Sequence, residues 1–202
     1  MYQVKNLGVI EKERIQRFKE KMKTQRLKPK VITTPHTNKL FIGIDNGVTG
    51  TIGCIYNNQT WFFETPTKSE QNYTKKKGNI SRVIKAELKE NLNKIIYACM
   101  PESSMCLIER PMVNPDRFAA TISALRALEA TLIVVEELKL PYQYEDSKAW
   151  QKELLPKGSK AAQLKSDSVD IGCRLFPEHS ELIKKHKDAD GILIAEYCRR
   201  KF

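Results

Sequence analysis

The amino-acid sequence predicts an α/β domain over residues 39–202, and two patterns support that fold class. Short apolar runs bounded by turn residues, typical of buried strands, occur along this region. Between and after them lie longer segments in which apolar residues recur every three or four positions, the spacing of an amphipathic helix. At about 150 residues per domain, 202 residues accommodate one such domain and an appendage. A hydrophobic share of 41% is enough for a core and excludes a wholly disordered chain.

Three consecutive strands are predicted at the start of the domain, because apolar runs alternate there with turn signals. These runs are Leu40–Ile44, Thr51–Tyr56 and Thr60–Glu64, separated by Asn46-Gly47 and Asn57-Asn58. A polar loop is expected from Thr65 to Gly78. Two further runs, Met105–Ile108 and Pro141–Glu145, predict a fourth and a fifth strand.

Helical spacing predicts helices at about 80–99, 116–138, 147–155, 160–175 and 188–200. The helix over 116–138 is the most apolar of them. One face carries Phe118, Ile122, Leu125, Leu128 and Leu132, and Leu132–Val135 widens the apolar surface beyond one stripe. A helix covered by a sheet on one side and by a partner subunit on the other has this pattern, although packing in the core alone would also explain it.

The charge balance is strongly basic, with 35 Lys and Arg against 24 Asp and Glu and a net charge of +11. Such a field attracts polyanions, so nucleic acid is the predicted partner. Residues 12–30 combine many of the basic side chains with Ile15, Phe18 and Met22 at helical spacing, which predicts a basic amphipathic helix. Pro29 and Pro35 predict an extended linker after it. We interpret residues 1–38 as either a solvated leader or an arm along a phosphate backbone.

Features of secreted and membrane proteins are not expected. Charged residues interrupt every apolar run before the length of a membrane helix, and no secretory apolar core follows Met1. The five cysteines are an odd number without a C-x-x-C pair, which argues against a disulfide framework or a zinc ribbon. We therefore predict an intracellular protein in a reducing compartment.

Acidic residues stand at three special places in this basic chain. Asp45 ends the first strand, Glu109 ends the fourth, and Asp190 lies near the start of the last helix, beside Asp188 and His186. Strand ends and helix starts converge at one edge of an open α/β sheet. Carboxylates gathered there repel one another unless a metal ion neutralises them, and oxygen ligands suit Mg²⁺. An acidic cluster in a basic protein is consistent with phosphodiester hydrolysis.

Each of these residues also has an ordinary explanation. Asp45 before Asn46-Gly47 is typical of a strand-to-turn junction, and Glu109 could form a surface ion pair with Arg110. Asp188 and Asp190 could complement a helix dipole. His186 is flanked by lysines and could be a surface residue, a general acid or base, or a metal ligand.

Five ordered segments resemble motifs of RuvC-like Holliday junction resolvases, and of their phage and prophage members in particular. The first is Ile42–Gly50 followed by Gly53, and the second is Leu107–Glu109. Ala189–Ala195 is similar to the helix that carries the last aspartate of the family. Trp150–Lys152 and the segment from Lys165 to Pro177 are similar to intervening motifs. The resemblance covers roughly residues 40 to 200.

The resemblance implies an RNase H-like fold, with a mixed five-stranded sheet whose first three strands are antiparallel, flanked by helices. It implies a structure-selective endodeoxyribonuclease that cleaves four-way junctions or other branched DNA with Mg²⁺, or with Mn²⁺ in its place. Two metal ions about 3.5–4 Å apart would be held by Asp45, Glu109, Asp190 and Asp188. His186 is the alternative to Asp188 as the fourth active-site residue. The implied DNA contacts are Lys152 and Lys165, followed by Lys75, Lys76 and Lys77.

The partners implied are branched DNA and a second copy of the chain, with no membrane and no small-molecule cofactor. Two symmetric cuts in a junction need two active sites, so we expect a homodimer through the helix at 116–138. The expected location is the cytoplasm of a bacterial or phage-infected cell, in association with the nucleoid when DNA is bound.

Departures from the family pattern leave alternatives open. Asn46 stands where proline is usual, and Gly191 replaces the common alanine. An RNase H-like nuclease with a different nucleic-acid substrate is one alternative, and a non-catalytic branched-DNA-binding protein is another. An actin-like ATPase or sugar kinase shares the first motif, but 202 residues are too few for its usual two-domain clamp.

Overall fold

The computed structural model describes residues 38–72, 78–160 and 162–202. The predicted basic helix over 12–30, its linker, and Lys75, Lys76 and Lys77 lie outside these residues. The division of the chain at residue 38 into a basic segment and a nuclease domain therefore stays a prediction.

Within the described part of the chain, strands and helices alternate after an initial series of strands. The strands are β1 (Lys39–Ile44), β2 (Thr51–Tyr56), β3 (Gln59–Glu64), β4 (Thr67–Gln71), β5 (Asn79–Val83), β6 (Ser103–Glu109) and β7 (Tyr142–Glu145). The α-helices are α1 (Lys85–Cys99), α2 (Phe118–Glu137), α3 (Ser147–Leu154), α4 (Leu164–Leu175), α5 (Ser180–His186) and α6 (Asp190–Lys201). Short 3₁₀ turns, Pro115–Arg117 and Pro177–His179, precede α2 and α5.

The main sheet has five strands in the order β3-β2-β1-β6-β7. β1 pairs antiparallel with β2, and β2 pairs antiparallel with β3. β6 runs parallel to both β1 and β7. The prediction of a mixed five-stranded sheet with three antiparallel strands first, flanked by helices, is confirmed, and the strand order and directions are those of an RNase H-like fold.

Both faces of the sheet are buried, because successive side chains of a strand point to opposite faces. On one face Phe41 and Leu107 pack with Trp150 of α3 and Ile192 of α6. On the other face Leu40, Ile42 and Ile44 pack with helices α1 and α2. Strands covered on both faces appear in the sequence as nearly continuous apolar runs, which is why β1 and β6 were predictable.

Helix α6 lies directly on β1 and β2 because glycines remove the side chains between them. Gly43 and Gly53 are paired across the two strands. A Cβ at Gly43 would overlap the backbone of Ala195, and a Cβ at Gly53 would overlap the backbone of Ile192. Gly191, on the helix, leaves no room for a Cβ beside the backbone of Thr51. This close approach brings the start of α6 to the ends of the central strands.

Two sequence predictions between residues 65 and 99 are wrong. The expected polar loop, Thr65 to Gly78, contains β4, which pairs antiparallel with β5 as a separate two-stranded sheet. The helix begins at Lys85 rather than at Ile80, because Ile80 and Val83 belong to β5. β4 consists of polar residues and is mostly exposed, so it lacks the apolar alternation that indicates a half-buried strand. The short helix α5 is also absent from the predictions.

The long helix α2 confirms the predicted boundaries to within two residues, and its apolar residues are divided between the core and the surface. Ala127, Val134 and Val135 are buried, whereas Phe118 is 70% exposed and Leu125 is 43% exposed. The segment Pro115–Glu137 is long and apolar enough, by length and composition, to cross a membrane. It connects β6 and β7, which are neighbours in the sheet, and packs its buried side in the core. Its other side is an uncovered apolar face of this domain.

Candidate metal centre

Asp45 and Glu109 meet at the ends of two parallel neighbouring strands. Ile44 of β1 and Ile108 of β6 are register partners. Asp45 directly follows Ile44, and Glu109 directly follows Ile108. The backbone N–H of Asp45 donates to the carbonyl of Thr51 at 3.0 Å, which holds the end of β1 to the start of β2. Both acids are only partly buried, so they border the protein surface.

Asp188 and Asp190 reach the same edge from the start of α6. Thr51 Oγ1 donates to Asp188 Oδ1 at 3.1 Å and accepts a hydrogen bond from the N–H of Gly191 at 3.0 Å. The N–H of Asp190 also donates to Asp188 Oδ1, at 2.8 Å. The hydroxyl of Thr51 thus connects β2 to the first turn of α6 and orients the Asp188 carboxylate.

Three carboxylates form one cluster. One oxygen from each of Asp45, Asp188 and Asp190 lies within 4.8 Å of the other two. Glu109 is close enough to act electrostatically on Asp45 and Asp190, but its carboxylate is not part of this group. Of the four predicted metal ligands, the structure therefore groups three and places the fourth beside them.

Hydrogen bonds from two helices orient the remaining carboxylates. Trp150 of α3 is completely buried, and its indole N–H donates to Glu109 Oε2 at 2.8 Å. Ser168 of α4 is also buried, and its hydroxyl donates to Asp190 Oδ1. The carboxylates of Asp188, Asp190 and Glu109 are thus each positioned by an element different from their own.

Burial and mutual repulsion shift the protonation of the cluster. Burial raises the pKa of Asp45 well above its usual range, and the charges of Asp188, Asp190 and Glu109 raise it further. Burial, reinforced by the charge of Asp188, raises the pKa of Asp190 to about 7. Burial also raises the pKa of Glu109, although the hydrogen bond from Trp150 opposes the shift.

The residues present fit a hard divalent cation. Their ligand atoms are carboxylate oxygens, which Mg²⁺ prefers, and they converge without an equal number of cations. Lys165 lowers the pKa of both Asp45 and Asp190, but its effect is smaller than that of burial. A bound divalent cation would compensate the repulsion that raises these pKa values.

The predicted basic residues and His186 take separate positions. Lys165 is exposed on α4 within electrostatic reach of the acids. Lys152 is exposed on α3. His186 directs Nε2 to the carboxylate of Glu64 at the end of β3, so the structure groups Asp188, and not His186, with Asp45 and Asp190.

Three polar residues that orient the acids are missing from the predicted site: Thr51, Trp150 and Ser168. Trp150 and Ser168 lie within the quoted motifs, but a motif does not say which atom a side chain contacts. The available signal for Ser168 is a small polar residue on the inward side of an amphipathic helix. Thr51 follows a glycine at the start of a strand and gives no such signal.

A cleft of about 290 Å³ adjoins the cluster between the turn after β1 and the first turns of α2. Glu109, Arg110 and Arg117 line it, together with Asn46. The side-chain amide of Asn46 donates to the carbonyl of Ala124 at 3.2 Å, which attaches the turn to α2. Glu109, beside the cluster, therefore borders a concave surface that also carries two arginines.

No protein-family model matches the sequence, and no curated protein matches it significantly. The structure is similar to that of Thermus thermophilus RuvC in complex with Holliday junction substrate, at 13% identity and a TM-score of 0.47, over 80% of this chain and 94% of that chain. It is also similar to the yeast mitochondrial Holliday junction resolvase Ydc2, at 16% identity and a TM-score of 0.42, over 85% of this chain and 89% of that chain. The Fowlpox virus resolvase, in complex with Holliday junction DNA, is a third similar structure, at 9% identity and a TM-score of 0.39, over 80% of this chain and 95% of that chain. The solved structures to which this chain is similar are thus RuvC and other Holliday junction resolvases, and the likeness is one of fold.

Proposed function

We propose that the protein is a metal-dependent endodeoxyribonuclease that cleaves four-way junctions or other branched DNA. The observation that carries this proposal is the convergence of Asp45, Asp188 and Asp190 within 4.8 Å, with Glu109 beside them, at one edge of the sheet. The chain that holds these acids has a net charge of +11. Basic surface attracts the polyanion, and within the described residues the acidic cluster is the proposed place at which it is cut.

Asp45, Asp188 and Asp190 are the proposed ligands of Mg²⁺, with Mn²⁺ as a substitute, and Glu109 completes a site for two ions. When bound, these ions supply an activated water molecule and stabilise the charge that develops on the phosphate. The pKa values of Asp45 and Asp190 are raised in their absence, so both carboxylates bind metal in competition with protons.

The other residues of the site position these ligands and the substrate. Thr51, Ser168 and Trp150 hold the carboxylates of Asp188, Asp190 and Glu109 through the hydrogen bonds described above. Lys165, which acts electrostatically on Asp45 and Asp190, is the proposed contact to the scissile phosphate. Lys152 is a proposed contact further along the backbone, and Lys75, Lys76 and Lys77 are proposed as secondary contacts on sequence grounds.

A second copy of the chain is the proposed occupant of the uncovered face of α2. A four-way junction is symmetric, and resolving it takes two cuts, so an enzyme with one site per chain acts as a two-fold dimer. The face that α2 leaves exposed contains Phe118, 70% exposed, and Leu125, 43% exposed. These large apolar side chains lose contact with water in a self-complementary interface. The choice of a four-way junction as the substrate rests on the resemblance of the sequence motifs. The proposed intracellular location on DNA also rests on the sequence.

A cleavage assay tests the proposal. End-labelled four-way junction, linear duplex and RNA–DNA hybrid are incubated with and without Mg²⁺, using the wild type, Asp45→Asn and Asp170→Asn. Asp170 is an exposed aspartate of α4, so it is a matched control for the loss of one carboxylate. We expect paired nicks in the junction that require Mg²⁺, vanish with Asp45→Asn and persist with Asp170→Asn.

Other results would replace the proposal. Cleavage of the hybrid or of linear duplex in preference to the junction would support the metal site but would show that the substrate is not branched DNA. Junction binding without cleavage in any metal would indicate a binding protein without catalysis.

A further inference from the structure

A second cleft, of about 230 Å³, lies between the β4–β5 hairpin, the start of α1 and the side of α2. Arg82 of β5, Lys85 at the start of α1 and Arg126 of α2 line it. Val48, from the turn that follows Asp45, also borders it. None of the residues that line this cleft lines the one beside Glu109.

This cleft belongs to the same end of the sheet as the acids. β3 ends where β1 ends, because both are antiparallel to β2, and the N–H of Thr65 donates to the carbonyl of Gly50 at 2.9 Å. The N–H of Ile84 donates to the carbonyl of Pro66 at 2.8 Å, so the hairpin returns to this end before α1 begins. The cationic cleft therefore lies at the end of the sheet that also carries the acids, and it borders the turn that follows Asp45.

The charges around the cleft favour an anion. Arg82, Lys85 and Arg126 line the cleft against one acidic side chain, Glu129. A second acid, Glu70, faces Arg82 at 2.7 Å but also pairs with Lys68, so the hairpin adds no net negative charge. The local sum is four cationic against two acidic side chains. A concave surface of this sign concentrates a phosphate more than an isolated lysine does.

The start of α1 adds the positive end of a helix dipole to the same place. Lys85 is the first residue of the helix, and its N-cap residue, Ile84, has no side chain able to accept from the first-turn N–H groups. Such N–H groups carry the positive end of the helix dipole. Lys85 itself lines the cleft, so this end of the helix lies beside the other cationic side chains.

We propose that this cleft is a second phosphate subsite, which binds the backbone of a DNA arm while another part of the same DNA lies at the acidic cluster. The proposal rests on the proposed nuclease function. It adds a second place, separate from the cleavage site, at which the protein contacts the DNA. The subsite contacts the backbone and not the bases, so it contributes affinity without sequence preference.

The salt dependence of junction binding tests the subsite. Affinity for a four-way junction is measured in EDTA, where no cleavage occurs, over a series of salt concentrations for the wild type, Lys85→Gln, Lys85→Glu and Lys89→Gln. Lys89 lies on the same helix outside the cleft, where Nζ pairs with Glu137 at 2.9 Å, so it controls for the loss of one positive charge. Each phosphate contact contributes about 0.9 to the slope of log K against log salt.

We expect Lys85→Gln to reduce the magnitude of that slope by about 0.9, the contribution of one phosphate contact. Lys85→Glu should reduce it further, and Lys89→Gln should leave it at the wild-type value. Equal slopes for Lys85→Gln and Lys89→Gln, with wild-type binding intact, would overturn the subsite and leave the nuclease proposal standing. A wild type that binds no DNA would overturn both. Thermal melting of each variant separates a binding effect from a loss of folding.

Discussion

The acidic cluster and the cationic cleft lie at the same end of the sheet but are built in opposite ways. The acids at the cluster and Glu109 beside it are partly buried, and residues from other elements orient three of them: Thr51 for Asp188, Ser168 for Asp190 and Trp150 for Glu109. At the cleft Arg82 and Lys85 are exposed and Arg126 is partly buried, and Arg82 is held by an ion pair across its own hairpin. Metal ligation needs atoms fixed to within tenths of an ångström, whereas attraction of a phosphate tolerates mobile side chains. The difference predicts that substitutions at the two places will differ in size and in kind.

The largest effect is expected where α6 contacts the central strands. Gly43→Ala places a Cβ against the backbone of Ala195, and backbone cannot yield as a flexible side chain can. We expect a loss of about 3 kcal/mol or more in the free energy of unfolding, measured by urea denaturation. Gly47→Ala is the control, because a Cβ there makes only ordinary contacts. Equal stability of the two variants would contradict the close packing that delivers Asp190 to the cluster.

The second largest effect is expected from pH: the free energy of unfolding of the metal-free protein should decrease as pH rises. The pKa of Asp190 is about 7 in the folded protein and near 4 in the unfolded chain, so the folded state binds more protons between these values. Stability is therefore highest below about pH 4 for this group and declines as pH passes through 7, by about 1–3 kcal/mol after allowance for solvent screening.

Thermal melting in EDTA between pH 5 and pH 8 measures this decline. We expect Mg²⁺ to reverse it at pH 8 and Asp190→Asn to reduce it. A melting temperature that rises steadily over this range in EDTA would refute the repulsion among the acids.

A smaller effect is expected for the residues that orient the ligands. Ser168→Ala removes the hydroxyl that donates to Asp190, and loss of such a hydrogen bond lowers metal affinity by about 10–100-fold. Calorimetric titration with Mn²⁺ measures the change. Ser166→Ala, on the same helix, removes a hydroxyl that donates to the carbonyl of Gln163 and serves as the control. Equal affinities for the two variants would show that the Asp190 carboxylate is held without Ser168.

The smallest effect is expected in the hairpin. Arg82→Gln breaks an ion pair with Glu70 whose side chains are 58% and 29% exposed, and pairs of this kind contribute less than about 1 kcal/mol. Urea denaturation should therefore show almost no change in stability, although the cleft loses a cation. A loss as large as that of Gly43→Ala would mean that the hairpin is part of the folding core and not an exposed binding element.

Sequence patterns were sufficient for the central sheet and for the places of its acids. β1, β2, β3, β6 and β7 are each apolar or alternating segments with turn residues beside them, and these patterns act locally. The hairpin was missed because its strands are polar and exposed, so they satisfy their backbone hydrogen bonds without burying an apolar face. The side of α2 that the sheet covers was left open, because its apolar residues extend around the helix and spacing alone does not select one side.

The amino-acid sequence by itself determined the order of the strands along the chain, the position of an acid at the end of β1 and of β6, and the basic charge that surrounds them. Only the tertiary structure decided that Asp188 joins Asp45 and Asp190 while His186 turns to Glu64. The two residues lie close together along the chain, and their environments differ because Thr51 and the Asp190 N–H hold Asp188, whereas the left-handed conformation of Lys187 ends α5 between them. Contacts made across 137 residues of sequence, as between Thr51 and Asp188, exist only after the helix has packed on the sheet.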